Sequence, residues 1–443
     1  MTGPGDAPEE AIARLAKAVP AHVRKVCAQL TAAGFQAVTV GGAVRDALLG
    51  RTPGDWDVAT SARPEQVMLT FRHTIPTGLQ HGTVTVVTGK GKESHVELTT
   101  FRGEGAYSDA RRPDHVVFGV PLHEDLARRD LVVNAIAYDP AKHELIDPFG
   151  GQDDIAKRRL RAVGNAVDRF TEDGLRVMRA VRFAAQLEFE LDPETEAGIG
   201  PALPSLAKVS RERVCDELRK MLEAREPSRG LSIARRTGIV KSILPDLDAA
   251  ITDDKEWLAA IDRAHRDVRL ATLLAPLRST SAPATHVDAT TQKRVLLILR
   301  ELKYSNVESD LAAQLVAVAH CLVHDGRDHE HLKNEPALRR LFRLVDRDKR
   351  HRVVPYWDAL APDDPLAELA ARVLDSKPPL DVGDLALGGQ DLMTALDIKP
   401  GRTVGRILER LLDYVLEDPA NNTRDGLLAH ARRVELELGH GDQ

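Results

Sequence analysis

Two aspartates, Asp55 and Asp57, stand on either side of a tryptophan in a stretch that has the pattern of a short strand. Residues two apart on a strand point to the same face, so the two carboxylates are expected side by side. Adjacent carboxylates repel each other without a cation, and hard oxygen ligands of this kind suit Mg²⁺. The pair indicates a site where two metal ions could activate a hydroxyl and stabilise a departing pyrophosphate. The alternative is a solvated edge strand or an Asp turn after Pro53 and Gly54.

A pair of glycines, Gly41 and Gly42, separates the apolar run Val38–Val40 from a helical pattern. Glycine lets the backbone approach a phosphate closely, and the start of the following helix offers free N–H donors. Arg45 would add a charge-assisted hydrogen bond to a triphosphate. The same pattern also arises from ordinary turn chemistry, which is its commoner cause.

Asp173 and Arg176 lie near the start of a predicted helix whose expected N-cap is Thr171. One interpretation is structural, because an acid in the first turn complements the helix dipole and can pair with a base three residues on. The other is that the two side chains bond the amine and ring nitrogen of cytosine or adenine. Uracil and guanine reverse that donor–acceptor order and would leave buried groups unpaired, at roughly 1–3 kcal/mol per group. The pair could thus select C and A without a nucleic-acid template.

Strands in the N-terminal part of the chain and helices in the rest of it must position these residues. Alternating apolar and polar residues predict strands over residues 36–40, 56–58, 83–88, 95–101 and 144–147. From about Gln152 the spacing turns helical, with helices predicted over Leu175–Leu187 and Val209–Glu223, and nearly all helix after Gly230. The glycine-rich, charged run Arg102–Pro113 has no periodicity and predicts a loop.

Three further residues are candidates with open alternatives. Glu97 would be another acidic group near the metals if it shares a face with the aspartate pair, and a surface charge is about as good an interpretation. Arg129 and Asp130 lie in the run Arg128–Ala135, which without its neighbours indicates a salt-bridged helix end.

Composition limits the class of protein. The 443 residues suffice for several domains. A formal net charge of −6 means that any RNA contact must use a local basic patch. The three cysteines are far apart, which supports neither a disulfide framework nor a Cys-rich zinc site. With no signal-peptide pattern at the N-terminus and no run long enough to span a membrane, a reducing cytoplasm is expected and a membrane partner is not.

Three motifs together resemble one known family. The sequence contains, in order, GGAVRDALLGRTPGDWDVAT, RRDLVVNA and EDGLRVMRAVRF. They resemble the signatures of class II tRNA CCA-adding enzymes and bacterial poly(A) polymerases, which belong to the DNA polymerase β-like nucleotidyltransferase superfamily. The departure is Leu131 and Val132, where the family usually has Phe and Thr.

The resemblance implies a Mg²⁺-dependent transfer of CMP and AMP from CTP and ATP to the 3′ end of tRNA. It implies that Asp55 and Asp57 are catalytic residues that bind Mg²⁺. It also implies that Asp173 and Arg176 select the base. It implies nucleotide contacts by a further set of residues: Gly42, Arg45, Arg129, Asp130, Arg179 and Arg182. Arg102–Pro113 resembles a loop that switches specificity from CTP to ATP. Two alternatives stay open, a poly(A) polymerase and a non-catalytic RNA-binding protein with a relict head.

The fold class expected is α+β. The resemblance implies a small polymerase β-like α/β head with a mixed sheet and helices, followed by elongated, all-helical parts. We place the nucleotidyltransferase head at residues 1–151, a helical neck with the nucleotide-selecting motif at 152–230, a helical body at 231–376 and a helical, RNA-binding tail at 377–443. The expected partner surface is the 3′ end and acceptor stem of tRNA, and the oligomeric state stays open.

Overall fold

The computed structural model describes residues 8–104, 116–279, 286–322 and 332–441. The chain divides into two compact units, Met1–Asp248 and Ala249–Gln443. The first contains the sheet and a set of helices, and the described part of the second is helical. This is the α+β class predicted from the sequence, with a mixed sheet at the N-terminal end and helices after it.

A seven-stranded mixed sheet forms the base of the first unit, in the order β3-β4-β5-β2-β1-β8-β9. Neighbouring strands are antiparallel except β2 and β5, which run parallel. Short strand pairs β6–β7 and β10–β11 lie outside this sheet. The strands are β1 (Ala37–Val40), β2 (Asp57–Thr60), β3 (Thr74–Gly78), β4 (Thr83–Val87), β5 (His95–Thr100), β6 (Arg102–Glu104), β7 (Val116–Phe118), β8 (Ala137–Asp139), β9 (Glu144–Ile146), β10 (Arg159–Leu160) and β11 (Glu190–Leu191).

The helices of the first unit cover the sheet and then continue beyond it. Pro193 begins one of them at the position where a missing N–H costs nothing, and Asp192 caps it. The helices are α1 (Pro8–Ala18), α2 (Ala21–Ala32), α3 (Gly42–Leu48), α4 (Pro64–Thr70), α5 (Leu122–Ala127), α6 (Gly151–Ala156), α7 (Ala166–Glu172), α8 (Leu175–Leu187), α9 (Pro193–Ala197), α10 (Ile199–Leu206), α11 (Arg211–Leu222), α12 (Pro227–Arg236), α13 (Ile239–Ile243) and α14 (Pro245–Ala250).

The central strands are positioned by burial. All four residues of β1 are buried, because strands lie on both of its sides and helices cover the sheet. Val38 and Val40 belong to a core cluster with Phe101 and Leu126. Burying a side chain of this size contributes roughly 1.5–3 kcal/mol relative to exposure. The central strands next to the candidate residues are therefore held in place by a packed core.

The predicted strands all occur, with ends shifted by one or two residues. The most consequential shift concerns Asp55, which precedes β2 rather than lying within it. Arg102–Glu104 was predicted to be loop and is strand β6, because it pairs with β7. Residues 105–113 of that predicted loop lie outside the described residues. The pattern gave no signal for β3, which contains Pro76 and two threonines in five residues, or for β7, β8 and the two-residue strands, which are too short for alternation to register.

The helix predicted over Leu175–Leu187 is α8, with the same ends. Its predicted N-cap was wrong: Thr171 lies inside α7, and the side chain of Asp173 accepts from the N–H of Leu175. Gly174 lets α8 begin here, since a Cβ on it would come within 2.3 Å of the Ser205 backbone. Gly174 is the sequence feature that could have indicated this break, because it separates α7 from α8 within the motif EDGLRVMRAVRF.

The second unit is built from helices and short 3₁₀ turns in its described ranges. Its last three helices share a buried cluster that includes Leu392, Leu411 and Leu427. No helix among the described residues combines the length and apolarity needed to span a membrane. The helices are α15 (Asp254–Arg263), α16 (Arg269–Leu274), α17 (Ala289–Glu301), α18 (Asn306–Leu322), α19 (Glu335–Arg343), α20 (Val353–Leu360), α21 (Pro365–Asp375), α22 (Gly389–Leu396), α23 (Arg402–Glu417) and α24 (Arg424–Gly441).

Candidate active site

A cavity of about 870 Å³ opens within the first unit, between the ends of β1, β2 and β5 and helix α8. Every residue that the sequence singled out as catalytic, metal-binding or nucleotide-binding lines it: Gly42, Arg45, Asp55, Asp57, Arg129, Asp130, Asp173, Arg176, Arg179 and Arg182. These residues come from positions 42 to 182, so the fold has brought together three motifs that are distant in sequence.

The aspartate pair forms one wall of the cavity. Asp55 and Asp57 are both exposed, and the tryptophan between them, Trp56, is buried. The alternation points the two carboxylates away from the core. Glu97 shares their side of the sheet, because β2 and β5 are parallel with Val58 opposite Leu98, which sets Asp57 beside Glu97. Glu97 therefore shares a face and a cavity with the aspartate pair, which was the condition for its role, and the role beside a metal stays a prediction.

The electrostatics of this wall fit a cation. The Asp57 side chain is open to solvent on the cavity side, but the protein around its carboxyl partly desolvates it and raises its pKa. The negative charges of Glu97 and Asp55 raise the pKa further, while Arg129 opposes them. A carboxylate whose neighbours disfavour its charge gains most from a nearby cation. Among the described residues no three acidic, His or Cys side chains are grouped as a finished metal site. Mg²⁺ is commonly bound by one or two carboxylates together with substrate phosphates, and Asp55 and Asp57 offer two such carboxylates.

The glycine turn lies directly beside the aspartates. Val40, the last residue of β1, pairs with Asp57, so the turn starts next to that carboxylate. Gly41 has φ +76°, which is the left-handed region, and a Cβ on it would lie 2.9 Å from Nη1 of Arg129. Any other residue would be strained there and would push the guanidinium aside.

Arg45 is buried and engaged within the protein. Its guanidinium bonds Asp46 at 2.8 and 2.9 Å and donates to Oδ1 of Asn134 at 2.6 Å. Nδ2 of Asn134 donates in turn to Asp130 at 3.2 Å, and Nε of Arg179 donates to the other oxygen of that carboxylate at 2.6 Å. One network therefore joins α3, the RRDLVVNA motif and α8.

Asp130 is the anionic centre of that network. Burial alone would raise the pKa of its carboxyl, but Arg179 and the hydrogen bonds from Asn134 and the Leu131 N–H hold the pKa well below its usual range. The same contact raises the pKa of Arg179. Both groups are therefore charged at neutral pH, and Asp130 fixes the position of Arg179.

The guanidinium of Arg129 is close enough to feel the charges of three carboxylates, those of Asp57, Asp125 and Asp130. Burial lowers the pKa of its guanidinium, partly offset by Asp125. It donates to the Asn134 carbonyl at 3.4 Å and lies 3.6 Å from Oδ2 of Asp125. Its Nε is buried and has no hydrogen-bond partner among the described residues. A buried charged donor without a hydrogen-bond partner costs free energy.

The two residues predicted to read the base are each held by other partners. Nη1 of Arg176 pairs with Glu172 at 2.6 Å, and Oδ2 of Asp173 pairs with Nη2 of Arg213 at 3.0 Å. The pairing of Asp173 with Arg176 expected from their spacing was therefore wrong. The reason is that Asp173 precedes α8 and turns toward α11, while Glu172 ends α7 one turn before Arg176. Both groups still line the cavity.

Several residues of the cavity were not assigned roles from the sequence. Arg213 lies 40 residues from Asp173 in the sequence, so local spacing gave no signal for their pairing. Phe183 follows Arg182 in the motif EDGLRVMRAVRF, where the sequence gave it no role. The others are Arg102, Asp125, Arg128, Asn134, Gln186 and Lys220.

The cavity is basic although the chain is acidic. Nine Arg and Lys side chains line it against six carboxylates, in a chain of formal net charge −6. An excess of positive charge in a concave site raises the local concentration of anions such as triphosphates. Arg182 contributes with a pKa lowered by burial, and it is paired with Glu217 at 2.5 Å.

Comparison with known proteins agrees with this arrangement. A family model described as "Poly A polymerase head domain" matches residues 37–161, and one described as "Probable RNA and SrmB- binding site of polymerase A" matches residues 188–251. The CCA-adding enzyme of Geobacillus stearothermophilus is 39% identical over 407 residues, covering 90% of this chain and 94% of that one. The chain belongs to the class II CCA-adding enzyme family.

Other CCA-adding enzymes give the same result. That of Lactococcus lactis subsp. lactis (strain IL1403) is 35% identical over 401 residues, covering 90% of this chain and 94% of its own. A crystal structure of the Bacillus stearothermophilus CCA-adding enzyme in complex with CTP has a TM-score of 0.69 and 32% identity, covering 95% of this chain and 98% of that one. The similarity thus runs along nearly the whole chain and includes the fold.

Proposed function

We propose that this CCA-adding enzyme transfers CMP twice and AMP once from CTP and ATP to the 3′ end of tRNA, in the cavity of the first unit. The observation that carries the proposal is the meeting, in one basic cavity, of the Asp55–Asp57 wall with Asp173 and with Arg176 of α8. A nucleotide bound there would lie between a site for its phosphates and a site for its base.

Asp55 and Asp57 would hold Mg²⁺, with Glu97 adding negative charge beside them. The chemistry that bound Mg²⁺ supplies is neutralisation of phosphate charge and activation of the attacking hydroxyl. Gly42 and Arg45 are proposed to contact the nucleotide, and Arg129 and Asp130 to position its ribose and phosphates. Arg179 and Arg182 would receive the triphosphate or the RNA end. Positioning and fixed charges then supply most of the rate enhancement, as in other phosphoryl transfers.

Base selection would lie with Asp173 and Arg176. The Asp173 carboxylate can accept from the exocyclic amine of cytosine or adenine, and Arg176 can donate to the adjacent ring nitrogen. Uracil and guanine present the opposite order and would leave both protein groups unpaired, at roughly 1–3 kcal/mol each. Before a base arrives, Arg213 and Glu172 satisfy these two groups, so the cavity can stay intact when empty.

We retain the four-part division as a proposal: head 1–151, neck 152–230, body 231–376 and an RNA-binding tail 377–443. One observation supports the first boundary: the seven-stranded sheet ends with β9 at Ile146, and helix α6 begins at Gly151. The tRNA acceptor stem would then extend along the helical parts from the 3′ end bound in the head.

Incubation of the purified protein with tRNA lacking its CCA tests the proposal, using each nucleoside triphosphate separately and then together. We expect CMP incorporation from CTP alone, AMP incorporation only after C addition, and no product in EDTA. Long A tails made from ATP alone would instead establish the poly(A) polymerase alternative. No Mg²⁺-dependent release of pyrophosphate with any substrate would establish a non-catalytic RNA-binding protein.

A further inference from the structure

Phe183 contacts three guanidinium groups at once. The Cζ atoms of Arg45, Arg179 and Arg182 lie 5.0, 5.4 and 3.9 Å from the centre of its ring. A guanidinium within about 6 Å of an aromatic centroid is attracted by the ring's electron-rich face. The Phe183 ring lines the nucleotide cavity.

The position of the ring follows from helix geometry. Residues four apart share a face, so Phe183 lies one turn beyond Arg179 on α8. Arg45 reaches the ring from α3, which follows the glycine turn. The ring is buried, at 7% exposure, so it cannot swing into solvent without unpacking α8.

The three cations would otherwise repel one another. Each already has an acidic neighbour on one side, and the neighbours are Asp46, Asp130 and Glu217. These three carboxylates already balance the three guanidiniums, so a fourth would make the cluster net negative and repel phosphates. An aromatic ring stabilises neighbouring cations through its quadrupole and carries no net charge. It therefore keeps the guanidiniums together without adding negative charge that would oppose a ligand's phosphates.

We propose that Phe183 is a positioning residue that gathers Arg45, Arg179 and Arg182 into one triphosphate-binding cluster before the nucleotide arrives. The proposal rests on the proposed function and adds a residue to it. A preorganised cluster lowers the cost of ordering side chains on binding. Weakening the ring's electron density should raise KM for CTP and ATP by the same factor, because both carry the same triphosphate. The ratio of CTP to UTP use should not change, since Asp173 and Arg176 read the base.

Fluorination of Phe183 tests this directly. Phenylalanine with one, two or three ring fluorines, introduced by nonsense suppression, keeps the ring's shape while withdrawing electron density from its face. We expect KM for both nucleotides to rise stepwise with fluorine number, on the order of tenfold at three fluorines, with kcat and the unfolding temperature without nucleotide little changed. The variant Phe183→Leu removes the ring and should raise KM at least as much.

Phe170 is the matched control, because its ring is fully buried in α7, does not line the cavity and has no guanidinium contact among the described residues. The same fluorinated series at Phe170 should leave KM unchanged. A flat KM series at Phe183 in an enzyme that adds CCA would overturn the inference and leave the proposed function standing. A rise for one nucleotide only would overturn it as well. A wild-type protein that adds no CMP would refute the proposed function itself.

Discussion

The backbone carbonyl of Arg128 accepts a hydrogen bond from Nη2 of Arg176 at 3.0 Å. The side chain of Arg128 points the other way, donating to the Arg102 carbonyl at 2.9 Å and to Oδ1 of Asp125 at 2.9 Å. One residue therefore connects strand β6 to the guanidinium proposed to read the base. Any shift of β6 that moves Arg128 would also move the carbonyl to which Arg176 donates.

The variant Arg128→Lys should weaken base selection. A lysine can keep the charge pair with Asp125, but it lacks the fork that also reaches Arg102. We expect the ratio of kcat/KM for CTP over UTP to fall about five- to tenfold, the worth of one hydrogen bond. Arg219→Lys is a matched control, because Arg219 pairs with Asp216 at the same i,i+3 spacing. An unchanged ratio in Arg128→Lys would show that the connection does not position Arg176.

Asp57→Asn should abolish nucleotide transfer and slightly stabilise the protein without metal. The pKa of Asp57 is raised on folding, so the folded state binds more protons than the unfolded state between the ordinary carboxyl pKa and the raised one. Stability therefore falls as pH rises through that window, and the cost persists at pH 7. Asn removes this cost, which we expect to gain less than about 1 kcal/mol because the group is exposed.

Thermal unfolding in EDTA at pH 7, together with single-turnover CMP transfer in Mg²⁺, measures both effects. The control is Asp153→Asn, an exposed aspartate of α6 outside the cavity, which should change neither. Transfer at the wild-type rate by Asp57→Asn would contradict the metal assignment. A loss of stability would contradict the electrostatic account of this wall.

The sequence could predict which residues line the cavity but not how they pair. The contacts of Asp57 depend on the parallel alignment of β2 with β5, which pairs segments 40 residues apart in sequence. Arg176 was expected to pair with Asp173 because a helix was assumed to include both residues. Gly174 breaks it between them, and the reason is a tertiary contact with Ser205. Local spacing predicts α8 well because its apolar period is strong, whereas a partner such as Arg213 depends on the packing of α11.

Asp130→Asn should destabilise the first unit in a pH-dependent way. The folded-state pKa of Asp130 is depressed, so its contribution is present above the unfolded carboxyl pKa and is lost as pH falls toward the folded value. Removing the anion leaves Arg179 with one partner fewer, and we expect a loss of about 1–3 kcal/mol at pH 7, since Arg179 is partly exposed. Urea unfolding at pH 7 and in strong acid measures it. A difference from wild type that stays constant across that range would contradict the charge-based explanation.

Asp173→Asn should let the enzyme accept UTP. The amide keeps an oxygen that can cap the Leu175 N–H, so the start of α8 is preserved. It also presents an N–H₂ group that can donate to O4 of uracil, where the carboxylate would be repelled. We expect the preference for CTP over UTP in kcat/KM to fall about 10- to 100-fold. Asp192→Asn is the matched control, because Asp192 caps α9 in the same manner and does not line the cavity. If Asp173→Asn retains the wild-type preference with an intact α8, the base is read elsewhere.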